Sequence, residues 1–296
     1  MKLLHHTVFP EEYKEQWDAL LPGSNSNVPF LHYAYLKGWW HTRGGGEWAD
    51  AELVIITAQE GDKLIGVAPL FYTPDHQGRP ALMLLGSVEV SDYLDLIVSE
   101  ENLVSFLDAL LPFLTKSNLP DWKVLDFYNV LRDSATLAAL ETVSQKQGWA
   151  YNSEIYQHSP YIPLPGDWEA YLANIDKKQR HEIRRKIRRL EGSEVPSRWY
   201  VVEDGEMLET EIEAFLHLME QERDKADFLT EYMREHMRMT IRWAFEAGFL
   251  VLAFLEIDGK KAAAKLCFNN QNRLWAYNSG IEKGYEWYSP GWVLLG

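Results

Sequence analysis

The sequence predicts an α+β fold built from two units of similar design. Its 296 residues, 46% hydrophobic and 25% charged, have ordinary globular composition and suffice for about two domains. Helical patterns precede β-rich runs twice along the chain. Residues 53–72 and 250–269 can be aligned without a gap as two β-hairpins, with four of twenty positions identical. We place the units at residues 1–157 and 158–296, each with a mixed, mostly antiparallel sheet and flanking helices.

The first unit opens with helical stripes and continues into strands. Its clearest signal is Glu60-Gly61-Asp62-Lys63, a turn between two β-rich runs that indicates a hairpin. The predicted helices and strands of this unit are helices at 10–21, 32–41, 101–114 and 134–147, and strands at 53–59, 64–72, 81–85, 94–98 and 122–128.

The second unit follows the same order, with helices first and a three-stranded meander after them. A helix opens at Asp167, and its apolar residues keep helical spacing as far as Leu190. Thr230 is a plausible N-cap and Gly248 a stop for a later helix. The other predicted elements are an extended piece at 160–164, helices at 206–223 and 230–247, and strands at 249–257, 260–269 and 273–279.

Composition argues against several classes of protein. The net charge of −15 opposes general binding to DNA or to an anionic membrane, because the field of the chain repels polyanions. Cys267 is the single cysteine, and no histidine pair has metal-ligand spacing, so we expect no disulfide and no metal. No apolar run near the N-terminus is long enough for a signal peptide or a membrane span, which predicts a cytoplasmic protein.

Several motifs together resemble a known family. These are Tyr277-Asn278-Ser279-Gly280, the stretch from Tyr285 to Ser289-Pro290-Gly291, Pro160-Tyr161-Ile162, the basic helix from Lys178 to Glu191, and Ser91-Asp92-Tyr93-Leu94-Asp95. Their order resembles the GNAT acetyltransferase superfamily, in the tandem branch associated with cellulose and exopolysaccharide biosynthesis, whose architecture is shared with Fem-type aminoacyltransferases. In that branch the chain continues beyond the Ser-Pro-Gly loop, so the second unit is expected to be incomplete at its C-terminus.

The resemblance implies an acyl-CoA-dependent N-acyltransferase, in which an amine attacks the thioester directly. Acetyl-CoA or another acyl-CoA is the expected donor, and the expected acceptor is an amino sugar or amino-acid-like amine, with an anionic sugar among the candidates. The pyrophosphate would lie on Ser289, Pro290 and Gly291, since amides that open a helix favour phosphate. The acyl arm would lie between splayed strands at 260–269 and 273–279, near Tyr277, Asn278 and Ser279.

Catalytic residues are less distinct in the sequence. His217, Glu222 and Asp224 lie on or just after a helix and are candidate bases, although each also fits a solvated helix residue. Tyr285, or alternatively Tyr288, is a candidate acid for the leaving sulfur, and a packed aromatic residue is the other reading of both.

The acceptor residues are assigned to two regions. In the first unit the expected acceptor residues are Asp92, Tyr93 and Asp95, with loop capping as the alternative. Residues 177–189 hold eight Lys or Arg and one acid, Glu182. From them Arg180 and Arg184 are candidate contacts to an anionic acceptor, against the alternative of a solvated amphipathic helix. Because the first unit lacks a Ser-Pro-Gly loop, we predict that it binds no CoA.

Two other functions remain open at this stage. A Fem-like transferase would use aminoacyl-tRNA instead of CoA, although the acidic chain makes tRNA an unfavourable partner. A non-catalytic partner in polysaccharide assembly would keep the fold without a working donor groove.

Overall fold

A six-stranded sheet and a four-stranded sheet organise the chain. The computed structural model describes all residues from 1 to 296. It divides them into an N-terminal unit, Met1–Gln157 with Glu231–Thr240, and a C-terminal unit, His158–Thr230 with Ile241–Gly296. Each unit combines one sheet with helices, so the predicted α+β class is confirmed.

The N-terminal unit contains a mixed sheet in the order β1-β2-β3-β4-β6, with β5 paired to β3. Neighbouring strands are antiparallel except β4 and β6, which are parallel. The strands are β1 (Lys2–His6), β2 (Glu52–Glu60), β3 (Lys63–His76), β4 (Arg79–Leu84), β5 (Ile97–Val98) and β6 (Val124–Asp126). The helices are α1 (Lys14–Leu20), α2 (Tyr33–His41), α3 (Glu100–Lys116) and α4 (Ala135–Lys146).

Most predicted elements of this unit are present, and the differences concern the strands β1, β5 and β6. β1 was not predicted, because a short run with two histidines shows no alternation; it forms by pairing along β2 from Lys2–Gln59 to His6–Ile55. The predicted strand at 94–98 is reduced to β5, which pairs with β3 at only two positions. The predicted strand at 122–128 is similarly reduced to β6.

The C-terminal unit contains an antiparallel sheet in the order β10-β9-β8-β7. Its strands are β7 (Ser197–Val201), β8 (Leu250–Ile257), β9 (Lys260–Asn270) and β10 (Arg273–Ile281). Its helices are α5 (Trp168–Asn174), α6 (Lys177–Glu191), α7 (Leu208–Glu220), α8 (Arg223–Phe228) and α10 (Pro290–Leu295). Helix α9 (Glu231–Glu246) begins in the N-terminal unit and ends in this one.

The single helix predicted from Asp167 to Leu190 is wrong, because the chain breaks after Asn174. Ile175 has extended backbone, and the Asp176 carboxylate accepts a hydrogen bond from the Gln179 amide at 3.0 Å. Such a side-chain cap competes with continuation of the preceding helix. Strand β7 and helix α8 were not predicted, because both are short and exposed in part.

Helices cover both faces of the C-terminal sheet. On one face, Leu190 of α6 and Val293 of α10 pack with Leu255 and Ile257 of β8. On the other face, α7 packs against β9 and β10. Alternation along β10 accounts for the two layers, since Gly280 faces α7 and the next residue, Ile281, packs against Gly291 of α10.

None of the helices combines the length and the apolar composition that crossing a membrane requires.

Candidate functional site

Helix α7 crosses strand β10 at a glycine. A Cβ atom on Gly280 would lie 2.6 Å from the carbonyl carbon of Leu218, from its Cβ and from the Met219 amide nitrogen. Backbone atoms cannot rotate away, so only glycine permits this approach. The crossing brings the end of α7 and the following α8 beside β10, where most of the predicted catalytic residues lie.

A lysine joins α8 to β10. Lys225 Nζ donates to the backbone oxygen of Ser279 at 2.7 Å and pairs with the Glu222 carboxylate at 2.8 Å. Its distance to Ser279 Oγ is 3.4 Å, and the Ser279 amide donates to Asn278 Oδ1 at 2.8 Å. Lys225 therefore connects Glu222 with Ser279, and Asn278 joins this group through the Ser279 amide, while Asp224 is exposed in the first turn of α8.

His217 and Tyr285 line the same open cleft, at the end of the sheet where β10 leads into the loop before α10. The cleft has a volume of about 410 Å³. His217 Nε2 lies 3.8 Å from the Glu282 carboxylate, and its Nδ1 lies 4.0 Å from that of Glu220. The remaining lining residues are Ala214, Leu218, Lys260, Lys261 and Lys283.

The cleft has a cationic rim. Lys261 is paired at 2.5 Å with the buried Glu211 carboxylate, to which the Tyr200 hydroxyl also donates. Burial and the Glu211 charge raise the pKa of Tyr200, so that its hydroxyl stays protonated. Lys260 and Lys283 are exposed and have no carboxylate partner within 4.0 Å. Their charges therefore remain available to an anion in the cleft.

The loop between β10 and α10 already binds a carboxylate. The Gly284 amide donates to both oxygens of Glu286 at 3.1 Å. Hydrogen bonds from the backbone amides of Glu286 and Gly284 lower the pKa of the Glu286 carboxyl. Backbone amides that converge on one carboxylate form an anion-binding concavity.

The predicted gap between the strands at 260–269 and 273–279 is wrong. Strands β9 and β10 remain paired from Asn270–Arg273 to Ala263–Ile281, because the ladder accommodates one extra residue as a bulge at Tyr277. Since β10 is an edge strand, its other side carries the unpaired backbone groups. Tyr277 itself packs against Phe268, with ring centroids 5.0 Å apart.

Ser289, Pro290 and Gly291 form the start of α10. Ser289 has left-handed backbone with φ of 51°, and its carbonyl accepts from the amides of Trp292 and Val293. Pro290 occupies the first helical position, where no amide is required. Gly291 packs closely on Ile281, whose Cδ1 would lie 2.9 Å from an added Cβ. Their role toward CoA stays a prediction.

Arg180 and Arg184 hold α5 against α6. Arg180 donates to the Leu172 carbonyl at 3.3 Å, and Arg184 pairs with the Glu169 carboxylate. Both guanidinium groups thus have partners inside the unit, and their contact with an acceptor stays a prediction.

The three acceptor residues predicted in the N-terminal unit have different surroundings. The buried Asp95 carboxylate accepts from Ser134 Oγ and Thr136 Oγ1, both at 2.5 Å, and so anchors the start of α4. Burial raises the pKa of Asp95, and these hydrogen bonds oppose the rise. The Tyr93 carbonyl accepts from Ser26 Oγ at 2.7 Å, whereas Asp92 is exposed.

The sequence did not indicate several residues that build the site. Lys225 and Ser279 are 54 residues apart, and nothing local to either one indicates their contact. Gly280 belonged to a recognised motif but had no assigned role. Nowhere in residues 1–296 do three or more His, Cys, Asp or Glu side chains gather as they would to bind a metal ion.

Comparison with known proteins agrees with this architecture. Residues 177–296 match the family described as acetyltransferase (GNAT) domain. A search of curated proteins found no match. Among solved structures, FemX is 12% identical with a TM-score of 0.62, and the similarity covers 100% of this chain and 84% of FemX.

Two further structures share the arrangement to different extents. A protein of unknown function from Bacteroides thetaiotaomicron VPI-5482 is 14% identical with a TM-score of 0.52, over 99% of this chain and 88% of that protein. A tandem GNAT protein from the clavulanic acid biosynthesis pathway is 13% identical over 99% of this chain and 83% of its own, but its TM-score of 0.34 is too low to support an argument. At these identities the first two similarities establish the fold alone.

The family match assigns a chemistry to the C-terminal unit, and the mixed α/β fold with its two sheets fits it. Residues 177–296 of this chain thus match the acetyltransferase (GNAT) domain family, and this match identifies the chain as an N-acyltransferase enzyme.

Proposed function

We propose that this enzyme transfers an acyl group, acetyl in the simplest case, from acyl-CoA to the amine of a small amino-sugar or amino-acid-like acceptor. The observation that carries the proposal is the anion-binding loop after β10, where the Gly284 amide binds the Glu286 carboxylate beside a cleft with two unpaired lysines. CoA has phosphates at one end and a thioester at the other, so its site needs cationic and amide donors near a surface for the arm.

The donor phosphates would take the place of the Glu286 carboxylate. A phosphate accepts the same amide hydrogen bonds and also gains the charges of Lys260 and Lys283. Ser289, Pro290 and Gly291, which follow this loop, are proposed to complete the phosphate site.

The acyl arm is proposed to lie along the free edge of β10. Pantetheine contains two amides, which can hydrogen-bond to an exposed strand edge as an added strand does. This placement leads the thioester past Tyr277, Asn278 and Ser279. The free edge of β10 thus takes the place of the predicted gap between β9 and β10 as the site of the acyl arm, because these two strands stay paired.

The reaction requires one proton acceptor and one proton donor. The acceptor nitrogen forms a bond to the thioester carbon, the carbon–sulfur bond breaks, and the amine proton passes to a base while the thiolate takes a proton from an acid. Glu222 is proposed as the base, because Lys225 ties it to Ser279 beside the proposed position of the thioester, and exposed Asp224 is the second candidate. His217 as a base and Tyr285 as the acid are the alternatives, and they require the reacting end of the donor to enter the cleft that they line.

Calorimetric titration with acetyl-CoA tests the donor site. Replacing Lys260 and Lys283 by Ser should weaken acetyl-CoA binding at least tenfold and reduce its salt dependence, because two attractive charges are lost. Replacing Glu286 by Gln should tighten binding, because the internal competitor loses its charge. The matched control replaces the exposed Lys116 and Lys123 of the N-terminal unit by Ser and should leave affinity unchanged.

Two CoA fragments show which part of the donor occupies the cleft. Adenosine 3′,5′-bisphosphate should respond to the lysine substitutions as acetyl-CoA does, whereas pantetheine should not. If acetyl-CoA binds and its affinity is unchanged by the substitutions of Lys260, Lys283 and Glu286, the cleft is not the phosphate site. If acetyl-CoA does not bind to the parent protein, the donor assignment is wrong. A bound donor then justifies a screen of amino sugars, including those used in polysaccharide assembly.

An aminoacyl-tRNA donor is the second candidate, and the charge on α6 favours it. Lys177, Lys178 and Arg188 of that helix are exposed and have no carboxylate within 4.0 Å. A tRNA-dependent enzyme would bind tRNA with strong salt dependence and would show no heat on titration with CoA.

A further inference from the structure

An arginine of the N-terminal unit carries a charge that no side chain of the protein neutralises. Arg43 follows α2 and is half-buried. Its Nη1 atom is buried without a hydrogen-bond partner, and its other guanidinium nitrogens donate to no protein acceptor. No carboxylate lies within 4.0 Å of the guanidinium, including that of Glu47 four residues along the chain. Burial lowers the pKa of Arg43, and no neighbouring charge opposes this effect.

The Arg43 guanidinium lies flat on the indole of Trp40. Its Cζ atom is 3.6 Å from the centre of that ring, which is the van der Waals separation of two planar groups that lie face to face. An N–H group directed into the ring would hold Cζ farther away. The N–H groups of Arg43 therefore point along the plane of the ring, and the stacking contact leaves them without acceptors.

A glycine loop fixes the backbone that carries this guanidinium. Arg43 and the three residues after it, Gly44–Gly46, all have left-handed backbone, with φ from 52° to 97°. The Arg43 carbonyl accepts from the Trp48 amide at 3.0 Å. A Cβ on Gly44 would lie 2.9 Å from Trp39 and from Trp48, so the loop is packed tightly on both rings. Because the loop is already held in place, a ligand that binds to Arg43 has little backbone to order.

Two more unpartnered polar atoms lie around Trp48. The indole nitrogen of the fully buried Trp39 has no acceptor, and the ring atom Cε2 bonded to it would lie 3.2 Å from a Cβ on Gly44. The Trp48 indole N–H donates to the Ser87 carbonyl at 2.8 Å, but the buried Ser87 hydroxyl has no partner. Trp39, Ser87 and Arg43 all carry hydrogen-bond donors, and proteins rarely leave buried donors without acceptors. This region therefore suits a ligand that supplies acceptors.

We propose that Arg43 is the centre of a binding site for the carboxylate or phosphate group of a small molecule. A planar guanidinium donates two parallel hydrogen bonds to either group, and stacking on Trp40 leaves its donors free to do so. A bound anion also removes the electrostatic cost of a partly buried charge that has no partner.

Arginines that hold this protein together use their donors inside the chain. Arg180 donates to the Leu172 carbonyl at 3.3 Å, and Arg198 pairs with the Glu256 carboxylate at 2.5 Å. Glu256 accordingly raises the pKa of Arg198, whereas burial lowers that of Arg43. Inside the chain Arg43 only covers Trp40, which an apolar side chain of similar length would also cover. Its charge is therefore explained by a ligand and not by the fold.

NMR titration of the Trp40 indole N–H signal, assigned through Trp40→Phe, tests the proposal in the full chain. Lys260→Ser and Lys283→Ser are present throughout, so that anions are not drawn to the donor cleft. At constant ionic strength, sodium phosphate or sodium acetate should shift the signal along a saturable curve, with sodium chloride as the reference. Arg43→Met should weaken this binding at least about tenfold, and Arg43→Lys, which keeps the charge but loses the planar fork, at least about threefold. The matched control is Arg132→Gln, which removes an exposed arginine of the same unit and should change nothing.

Saturable shifts that are lost in Arg43→Met and kept in Arg132→Gln support the proposal. A response to phosphate alone then assigns a phosphate ester to the site, and a response to acetate alone assigns a carboxylic acid. The absence of a saturable shift, or equal shifts with and without Arg43, would overturn the proposal and leave the unpartnered donors to water.

Urea unfolding separates binding from a structural role of Arg43. The urea midpoint of Arg43→Met should equal or exceed that of the parent protein without added anion, because methionine covers Trp40 and leaves no unpaired charge. A clearly lower midpoint would assign Arg43 to the fold and overturn the proposal. The site uses no residue of the donor cleft, so this proposal and the proposed function fail separately.

Discussion

Replacing Gly280 by Ala should destabilise the C-terminal unit by about 3 kcal/mol. The new Cβ would lie 2.6 Å from three atoms of Leu218 and Met219, two of them in the backbone, whereas carbon atoms in folded proteins are normally at least about 3.5 Å apart. Helix α7 must therefore retreat from β10 by about 1 Å. Forced overpacking costs about 1–3 kcal/mol, and we expect the upper end because no side-chain rotation relieves the contact.

Urea unfolding followed by pulsed hydrogen exchange measures this cost in the affected unit. With a urea dependence of about 2 kcal/mol per M, the midpoint for peptides from β8 to β10 should fall by about 1.5 M. Gly205→Ala is the control, because its Cβ would meet Phe245 at an ordinary 3.4 Å, and it should change stability by less than about 0.5 kcal/mol. An unchanged midpoint for the Gly280 variant would mean that α7 does not approach β10 as described.

Three other results are expected. His236 is fully buried, and burial lowers its pKa from 6.5 to about 4. Between pH 6.5 and pH 4 only the unfolded chain therefore takes up a proton at this histidine. The free energy of unfolding should drop by about 3 kcal/mol between pH 7 and pH 4 for this reason. A His236→Gln variant should lack this drop in urea unfolding at the two pH values, and an equal drop would contradict the assignment. Lys261→Met leaves the buried Glu211 carboxylate without its cation and should cost about 3 kcal/mol. Arg198→Met removes an exposed guanidinium from the half-buried Glu256 and should cost less than about 1 kcal/mol; equal costs would refute the distinction. Lys225→Met removes the ammonium group that joins the Glu222 carboxylate to the Ser279 carbonyl. It should lower kcat at least tenfold and change the free energy of unfolding only slightly. An unchanged kcat would exclude these two hydrogen bonds from the reaction.

Local patterns predicted the elements that depend on local physics. Helical periodicity located α3, α7 and α9, and the Asp258-Gly259 turn located the β8–β9 hairpin. The break between α5 and α6 was missed because the apolar spacing continues across it, while the Asp176 cap decides the backbone. Strand β7 is exposed and short, and its pairing with β8 across more than fifty residues decides its conformation.

The candidate site depends mainly on long-range contacts, which explains why the sequence predicted it incompletely. His217 and Tyr285 were both chosen from the sequence, but their common cleft exists only because α7 crosses β10 at Gly280. Residue type alone could not separate Asp95, a buried anchor of α4, from its exposed neighbour Asp92.

Hydrogen exchange of the backbone with and without acetyl-CoA tests the central claim most directly. If the donor arm lies along the free edge of β10, saturating acetyl-CoA should slow exchange in Arg273–Ile281 and leave Ser197–Val201, the opposite edge of the same sheet, unchanged. Slowed exchange at β7, or tight binding with no change at β10, would contradict the account.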